Sequence, residues 1–218
     1  MNDKGFMKYI GACAVYFFLT VAYCFYADQA DIWGQWWFSD KFFVFQYVTV
    51  LLLGSALIKG KFNALTYCRY GIRTKFIFYQ LLQHVILSFM LVSFLFFYAM
   101  ILTIILGRAT DFEIIRIMMN QYCRFLAGSY LVGCLDMILE YSGVKFLKAG
   151  SQICVYLMLI TELLVFVPKI NELIGANIHM LFSWIFFDHI IGYVFLIGWG
   201  VILTITLFWV GKRGDLPT

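Results

Sequence analysis

The chain has 218 residues, of which 63% are hydrophobic, 20% aromatic and only 13% charged, with a formal net charge of +4. A water-soluble domain is about one quarter charged and at most half apolar, so this composition excludes a soluble enzyme, a disordered tail and a nucleic-acid-binding module. At about 20 apolar residues per spanning helix, the chain has material for six helices with short loops and little for anything outside a bilayer.

Apolar runs bounded by charge occupy about 9–27, 41–58, 77–106, 122–141, 150–168 and 190–210. They predict an all-α polytopic membrane protein with six transmembrane helices, forming one transmembrane domain over residues 1–218. Lys4 and Lys8 lead into the first run, whose far end, Cys24-Phe25-Tyr26-Ala27-Asp28, offers no small-residue cleavage site. The first run therefore reads as a retained helix and not as a signal peptide. After it, Trp33, Trp36, Trp37 and Phe38 form an aromatic anchor suited to the membrane interface.

In the third run, Gln80, Gln83, His84 and Ser88 recur at helical spacing, predicting a polar stripe that faces the bundle interior or a partner subunit. His179 and His189 fall on the opposite side of the membrane from His84, which argues against haem or metal ligation there. Asp136 and Glu140 lie one turn apart at the end of the fourth run, where they are expected to meet Lys145 or Lys148. Glu162 sits inside the fifth run, where an unpaired carboxylate is costly, and Arg124 lies at similar depth on the preceding antiparallel helix. These two predict a structural ion pair that pins the helices together.

Pro168 ends the fifth run, and the broken apolar segment Ile170 to His189 reads as a short interfacial or re-entrant helix, not a seventh span. The six cysteines include no C-x-x-C pair, as expected of buried membrane cysteines. No nucleophile elbow, zinc-protease motif, P-loop or dinucleotide fingerprint occurs anywhere in the chain.

The basic residues set the orientation. With the N-terminus inside, Lys4, Lys8, Lys59, Lys61, Arg69, Arg73, Lys75, Lys145, Lys148, Lys212 and Arg213 are cytoplasmic, 11 of the 16 in the chain. Both termini are then cytoplasmic. Five of these residues crowd into the segment Lys59 to Lys75, where Phe62, Leu65, Tyr67, Cys68 and Ile72 mark an apolar side. That pattern predicts a short amphipathic helix on the cytoplasmic surface, ending at Gly71, which either lies on anionic lipid or docks on a soluble partner.

The segment Arg69-Tyr70-Gly71-Ile72-Arg73-Thr74-Lys75, directly after the second of six runs, resembles the coupling-helix region of ABC-2 type ABC transporter permeases. It is similar in particular to small permeases of peptide-export, bacteriocin and lantibiotic self-protection systems in Gram-positive bacteria. The resemblance implies six spans with both ends inside, a coupling helix between spans two and three, and a short hydrophobic outer hairpin between spans five and six. It further implies that Arg69, Tyr70, Arg73 and Lys75 couple the chain to a separate cytoplasmic ABC ATPase.

On this reading ATP and magnesium belong to that partner, and this chain carries no cofactor and is itself no enzyme. A second permease, identical or related, completes a dimer in a bacterial plasma membrane, where the chain also meets membrane lipid but no nucleic acid. The transported molecule is amphipathic, either a peptide or lipid-like. The alternatives are a substrate-binding membrane component of a small-molecule uptake system and, behind it, a membrane-embedded enzyme.

Overall fold

The computed structural model describes residues 4–27, 42–59, 72–105, 112–144, 146–147, 150–165 and 190–213. Among these residues there is no strand, and six helices make up the fold: α1 (Lys4–Ala27), α2 (Thr49–Lys59, entered through a π-helical stretch, Phe42–Val48), α3 (Arg73–Ile105), α4 (Phe112–Tyr141), α5 (Ser151–Val165) and α6 (Ile190–Arg213). Four contain stretches long and apolar enough to cross a membrane: Gly5–Tyr23, Arg73–Ile105, Ile115–Tyr141 and Ile190–Arg213. The apolar helices Phe42–Ile58 and Ser151–Glu162 are shorter.

Three helix starts differ from the hydropathy reading: α1 begins at Lys4 and not near 9, and α4 and α3 also start early. α4 begins at Phe112, well before the expected start near 122, and at least one polar residue that interrupts its hydropathy has a partner on another helix. Asn120 receives the Tyr193 hydroxyl from α6. Arg116, which lies before the expected start, is therefore a helical residue. α3 has 33 residues, about 50 Å of helix, against a hydrocarbon layer about 30 Å thick, so it starts in the basic segment at Arg73. The amphipathic helix predicted before it, the anchor Trp33 to Phe38 and the outer hairpin Ile170 to His189 lie outside the described residues.

Contacts fix how the helices run. Tyr9 of α1 donates to the Val50 carbonyl at 2.5 Å, Tyr16 bonds Gln46, and Phe17 stacks on Tyr47, so α1 and α2 are antiparallel. Tyr141 bonds Gln80, and Tyr122 meets Ser93 at 3.0 Å, so α3 and α4 are antiparallel. Ser151 reaches back to Asp136, closing the α4–α5 turn. Asn120 and Tyr130 of α4 meet Tyr193 and Thr204 of α6 in the same order, so those two run parallel. Direction thus alternates along the chain, and the start of α1 shares one end of the bundle with the end of α6. α4 stops where Gly143 takes φ 76°, a left-handed conformation that closes helix ends and is readily adopted by glycine.

The core is aromatic at its centre. Phe125 of α4 meets Phe43 edge-on at 5.1 Å, Tyr47 at 5.4 Å and Phe96 of α3 at 6.0 Å, which joins α3, α4 and the π-helical stretch. Lipid is as apolar as a leucine side chain, so helices in a membrane associate through packing and hydrogen bonds and not through the hydrophobic effect. Ring pairs of this geometry contribute about 0.5–1.5 kcal/mol beyond area.

Close approach also depends on Gly54, where an added Cβ would lie 2.8 Å from Tyr9 Cζ and 2.9 Å from Leu87 Cδ2. Alanine is normally favoured over glycine in a helix by about 1 kcal/mol. Overpacking of about 1–3 kcal/mol outweighs that gain at this site. Gly54→Ala is expected to lower the thermal midpoint of the detergent-solubilised protein. Gly11→Ala and Gly198→Ala, which meet nothing within 4 Å, are expected to leave it unchanged or raise it.

Candidate functional site

Ionisable groups inside a membrane protein are costly, so where they gather is where function is sought first. They gather on α4. Its inward face carries Arg124, Ser129, Asp136 and Glu140, all buried, with Asp136 wholly inaccessible. Each level of this seam meets a different element of the fold.

At the first level the Arg124 guanidinium lies over the Tyr193 ring of α6, 5.3 Å from its centroid, a cation–π contact. The Tyr193 hydroxyl donates to Asn120 one turn earlier on α4, through both its main-chain and its side-chain oxygen. Arg124 is the largest fully buried side chain in the chain's described part.

At the second level Ser129 Oγ donates to the Phe125 carbonyl at 2.5 Å and lies 2.8 Å from the Tyr47 hydroxyl. A serine has one hydroxyl proton, so Tyr47 is the donor of that second bond. His84 of α3 contacts the same residue from the other side, its Nε2 lying 3.1 Å from the Ser129 carbonyl. A carbonyl only accepts, so Nε2 carries the proton. The imidazole rests on Gly133, where a Cβ would coincide with the ring. Ser129 and Gly133 form the small-residue spacing that lets membrane helices approach.

At the third level Asp136 receives two hydroxyls, from Ser151 of α5 at 2.7 Å and from Ser55 of α2 at 3.4 Å. The carboxylate sits beside the first turn of α5, where the helix dipole favours negative charge. Gln152 supports the same junction by donating from Nε2 to the Leu52 carbonyl at 3.0 Å. At the end of the helix, Tyr141 donates to Gln80 Oε1. Chemically these are cross-helix ties: each joins α4 or its neighbour to another element. Among the described residues no three His, Cys, Asp or Glu side chains come together as metal ligands.

The structure places the residues singled out from sequence as follows. Gln80, His84 and Ser88 are buried along one side of α3, as the spacing predicts, with Gln83 half-buried. Asp136 is not at the interface but enclosed by α2, α4 and α5, because the short α4–α5 turn returns Ser151 over it. The side chains of Lys145 and Lys148 lie outside the described residues. So do Arg69 and Tyr70. Arg73 opens α3, and its Nη1 donates to the Lys212 carbonyl at 2.9 Å, joining the start of α3 to the end of α6. Lys75 is exposed one half-turn later.

Arg124 and Glu162 are both buried, 2% and 8% exposed. Counted from the Asp136–Ser151 bond, Arg124 is twelve residues back along α4 and Glu162 eleven residues forward along α5. At 1.5 Å per residue both are about 17–18 Å from the anchor, so they stand at one level.

Sequence reasoning missed Tyr47, Ser55, Ser129, Gly133, Ser151 and Gln152. Only the Ser129–Gly133 spacing carries a signal. The others are ordinary membrane residues until a neighbouring helix is placed beside them.

The Asp136 geometry makes a graded prediction. A hydrogen bond to a charged group contributes about 1.5–3 kcal/mol and weakens with length. Ser151→Ala, losing the 2.7 Å bond, is expected to lower the thermal midpoint in detergent more than Ser55→Ala, which loses the 3.4 Å bond. Equal losses would show that the shorter bond from α5 contributes no more than the longer one from α2. Compared with known proteins, the chain matches no family model, no curated protein and no solved structure.

Proposed function

We propose that the chain is the permease subunit of an ATP-driven transporter of the ABC-2 type, moving an amphipathic peptide or lipid-like molecule through a bacterial plasma membrane. All six helices span in this reading, with both termini on the cytoplasmic side. The observation that carries it is the gathering of exposed cations at one end of an otherwise apolar bundle. Lys8, Lys75, Lys212 and Arg213 are exposed at the end where α1 and α3 begin and α2 and α6 stop. Positive charge of that kind is retained on the cytoplasmic side. The basic segment Lys59 to Lys75 joins α2 to α3 at that same end, within reach of a soluble partner.

A chain that is nearly all membrane helix has no room to bind a nucleotide, so the energy-consuming step belongs to a second protein. Two copies of this permease, or one copy and a relative, sit on two ATPase subunits that hold ATP and magnesium. Closure of the ATPases on ATP pulls Arg69, Tyr70, Arg73 and Lys75, and the bundles shift between two access states. The bond from Arg73 to the Lys212 carbonyl supports such coupling, since a pull on the start of α3 is shared at once with α6. The polar seam of α4 then makes the helices move together.

The same reading includes an Arg124–Glu162 ion pair between α4 and α5, which their shared level and burial support. A buried pair broken on one side costs about 3–5 kcal/mol. Arg124→Ala and Glu162→Ala should each reduce the thermal midpoint, and the exchange Arg124→Glu with Glu162→Arg should recover part of the loss. No recovery in the exchanged protein would remove the pair from the reading.

Coupling is tested by purification in mild detergent from the native host. An ABC-type ATPase should copurify with the wild-type chain, and Arg69→Glu with Tyr70→Ala should lose at least about 90% of it while the permease keeps its elution position. Undiminished copurification of the ATPase with that variant would sink the coupling role. Purified chain alone should hydrolyse no ATP, and turnover of a substrate without a partner would instead favour an enzyme.

A further inference from the structure

α3 and α6 contain no aspartate or glutamate along their whole lengths, 33 and 24 residues. Their charged side chains are Arg73 and Lys75 in the first turn of α3 and Lys212 and Arg213 in the last turn of α6. The two helices are antiparallel, with Gly211 against Ile77 and Arg73 bonded to the Lys212 carbonyl, so the four cations meet at one end of the pair. The nearest carboxylate in sequence, Asp215, lies outside the described residues.

Directly below these cations is an open cleft of about 420 Å³ lined by Thr74, Lys75, Phe78, Tyr79 and Phe208. Its wall is aromatic and almost wholly apolar, and Lys75, which is exposed, stands at its charged end. Arg73 has one guanidinium nitrogen committed to Lys212, and the Arg213 guanidinium lies over the Trp209 ring at 4.4 Å. Lys75 lines the cleft and is exposed, and Lys212, also exposed, follows Phe208 by one turn on the same side of α6.

We propose that this cleft between α3 and α6 holds one anionic phospholipid, its phosphate between Lys75 and Lys212 and its acyl chain along Phe78 and Phe208. Charge complementarity selects the occupant. A cluster of cations with no carboxylate on either helix favours an anion, and an apolar wall continuing from it into the membrane favours an anion that carries hydrocarbon. A water-soluble phosphate would leave Phe78 and Phe208 uncovered, and an apolar peptide would leave the cations without a counter-charge. A basic pocket between membrane helices at the cytoplasmic side suits a headgroup of this kind. The inference rests on the membrane reading of the chain and on its orientation, but not on transport.

The test uses the full-length chain in mild detergent, with dioleoyl phosphatidylglycerol and dioleoyl phosphatidylcholine as probes and retained lipid counted by native mass spectrometry. One phosphatidylglycerol should be retained per chain in preference to phosphatidylcholine by at least about five-fold. Each lysine near an anionic lipid surface contributes about 1 kcal/mol, which is about five-fold in affinity, so Lys75→Gln and Lys212→Gln together should abolish the preference. Both side chains are exposed, so the double variant should keep its elution profile. Phe208→Ala should weaken retention of both lipids without changing their ratio.

Lys8→Gln removes an exposed cation at the same end but outside the cleft, and should change nothing. Equal retention of the two lipids would overturn the proposal, as would an equal loss of preference in Lys8→Gln. Full displacement of the lipid by millimolar glycerol phosphate would overturn it in favour of a site for a free anion. A failed lipid result leaves ATPase copurification untouched, so the two readings fall separately.

Discussion

Inside hydrocarbon a polar group has no water to turn to, and that constraint falls most heavily on α4. Its buried carboxylate at Asp136 is satisfied only if α2 and α5 bring Ser55 and Ser151 to it, and its serine at Ser129 is where Tyr47 and His84 converge. Each of these bonds fixes a neighbouring element in depth and rotation at once. An apolar contact can slide by a residue at small cost, but a hydrogen bond of this kind cannot, because the alternative is a buried group left unsatisfied. The arrangement of the helices follows from where the polar residues of α4 fall.

This explains what could and could not be read from the sequence. Helix class and approximate positions follow from apolar runs, and the inward face of α3 follows from the spacing of Gln80, His84 and Ser88. The start of α4 did not follow, because hydropathy treats Arg116 and Asn120 as interruptions, whereas the helix runs through both and Asn120 accepts from Tyr193. The enclosure of Asp136 was hidden for the same reason. A carboxylate four residues from another, near two lysines, has the sequence pattern of an interface, and only the return of the chain at Ser151 shows that it is enclosed. Pairing between helices is a relation between distant positions, and a single sequence displays positions one at a time.

The distribution of charge has a second reading beyond orientation. Among the described residues α3 and α6 are free of carboxylates and carry their cations at one end, so neither helix can neutralise that charge itself. α4 buries charges of both signs, Arg124, Asp136 and Glu140.

The π-helical stretch Phe42–Val48 also sets the rotational phase of everything that precedes it. In an α-helix each residue advances the side chain by about 100°, so a single deletion within the stretch would rotate the earlier residues by roughly that angle relative to Thr49–Lys59. Phe43, now edge-on to Phe125, would turn off the aromatic centre, while Ser55 stayed near Asp136. Insertions and deletions are ordinarily tolerated in loops, but here the length of a buried segment is itself part of the design. Related chains that preserve this bundle are expected to keep the number of residues between Phe43 and Ser55 constant even where their identities drift.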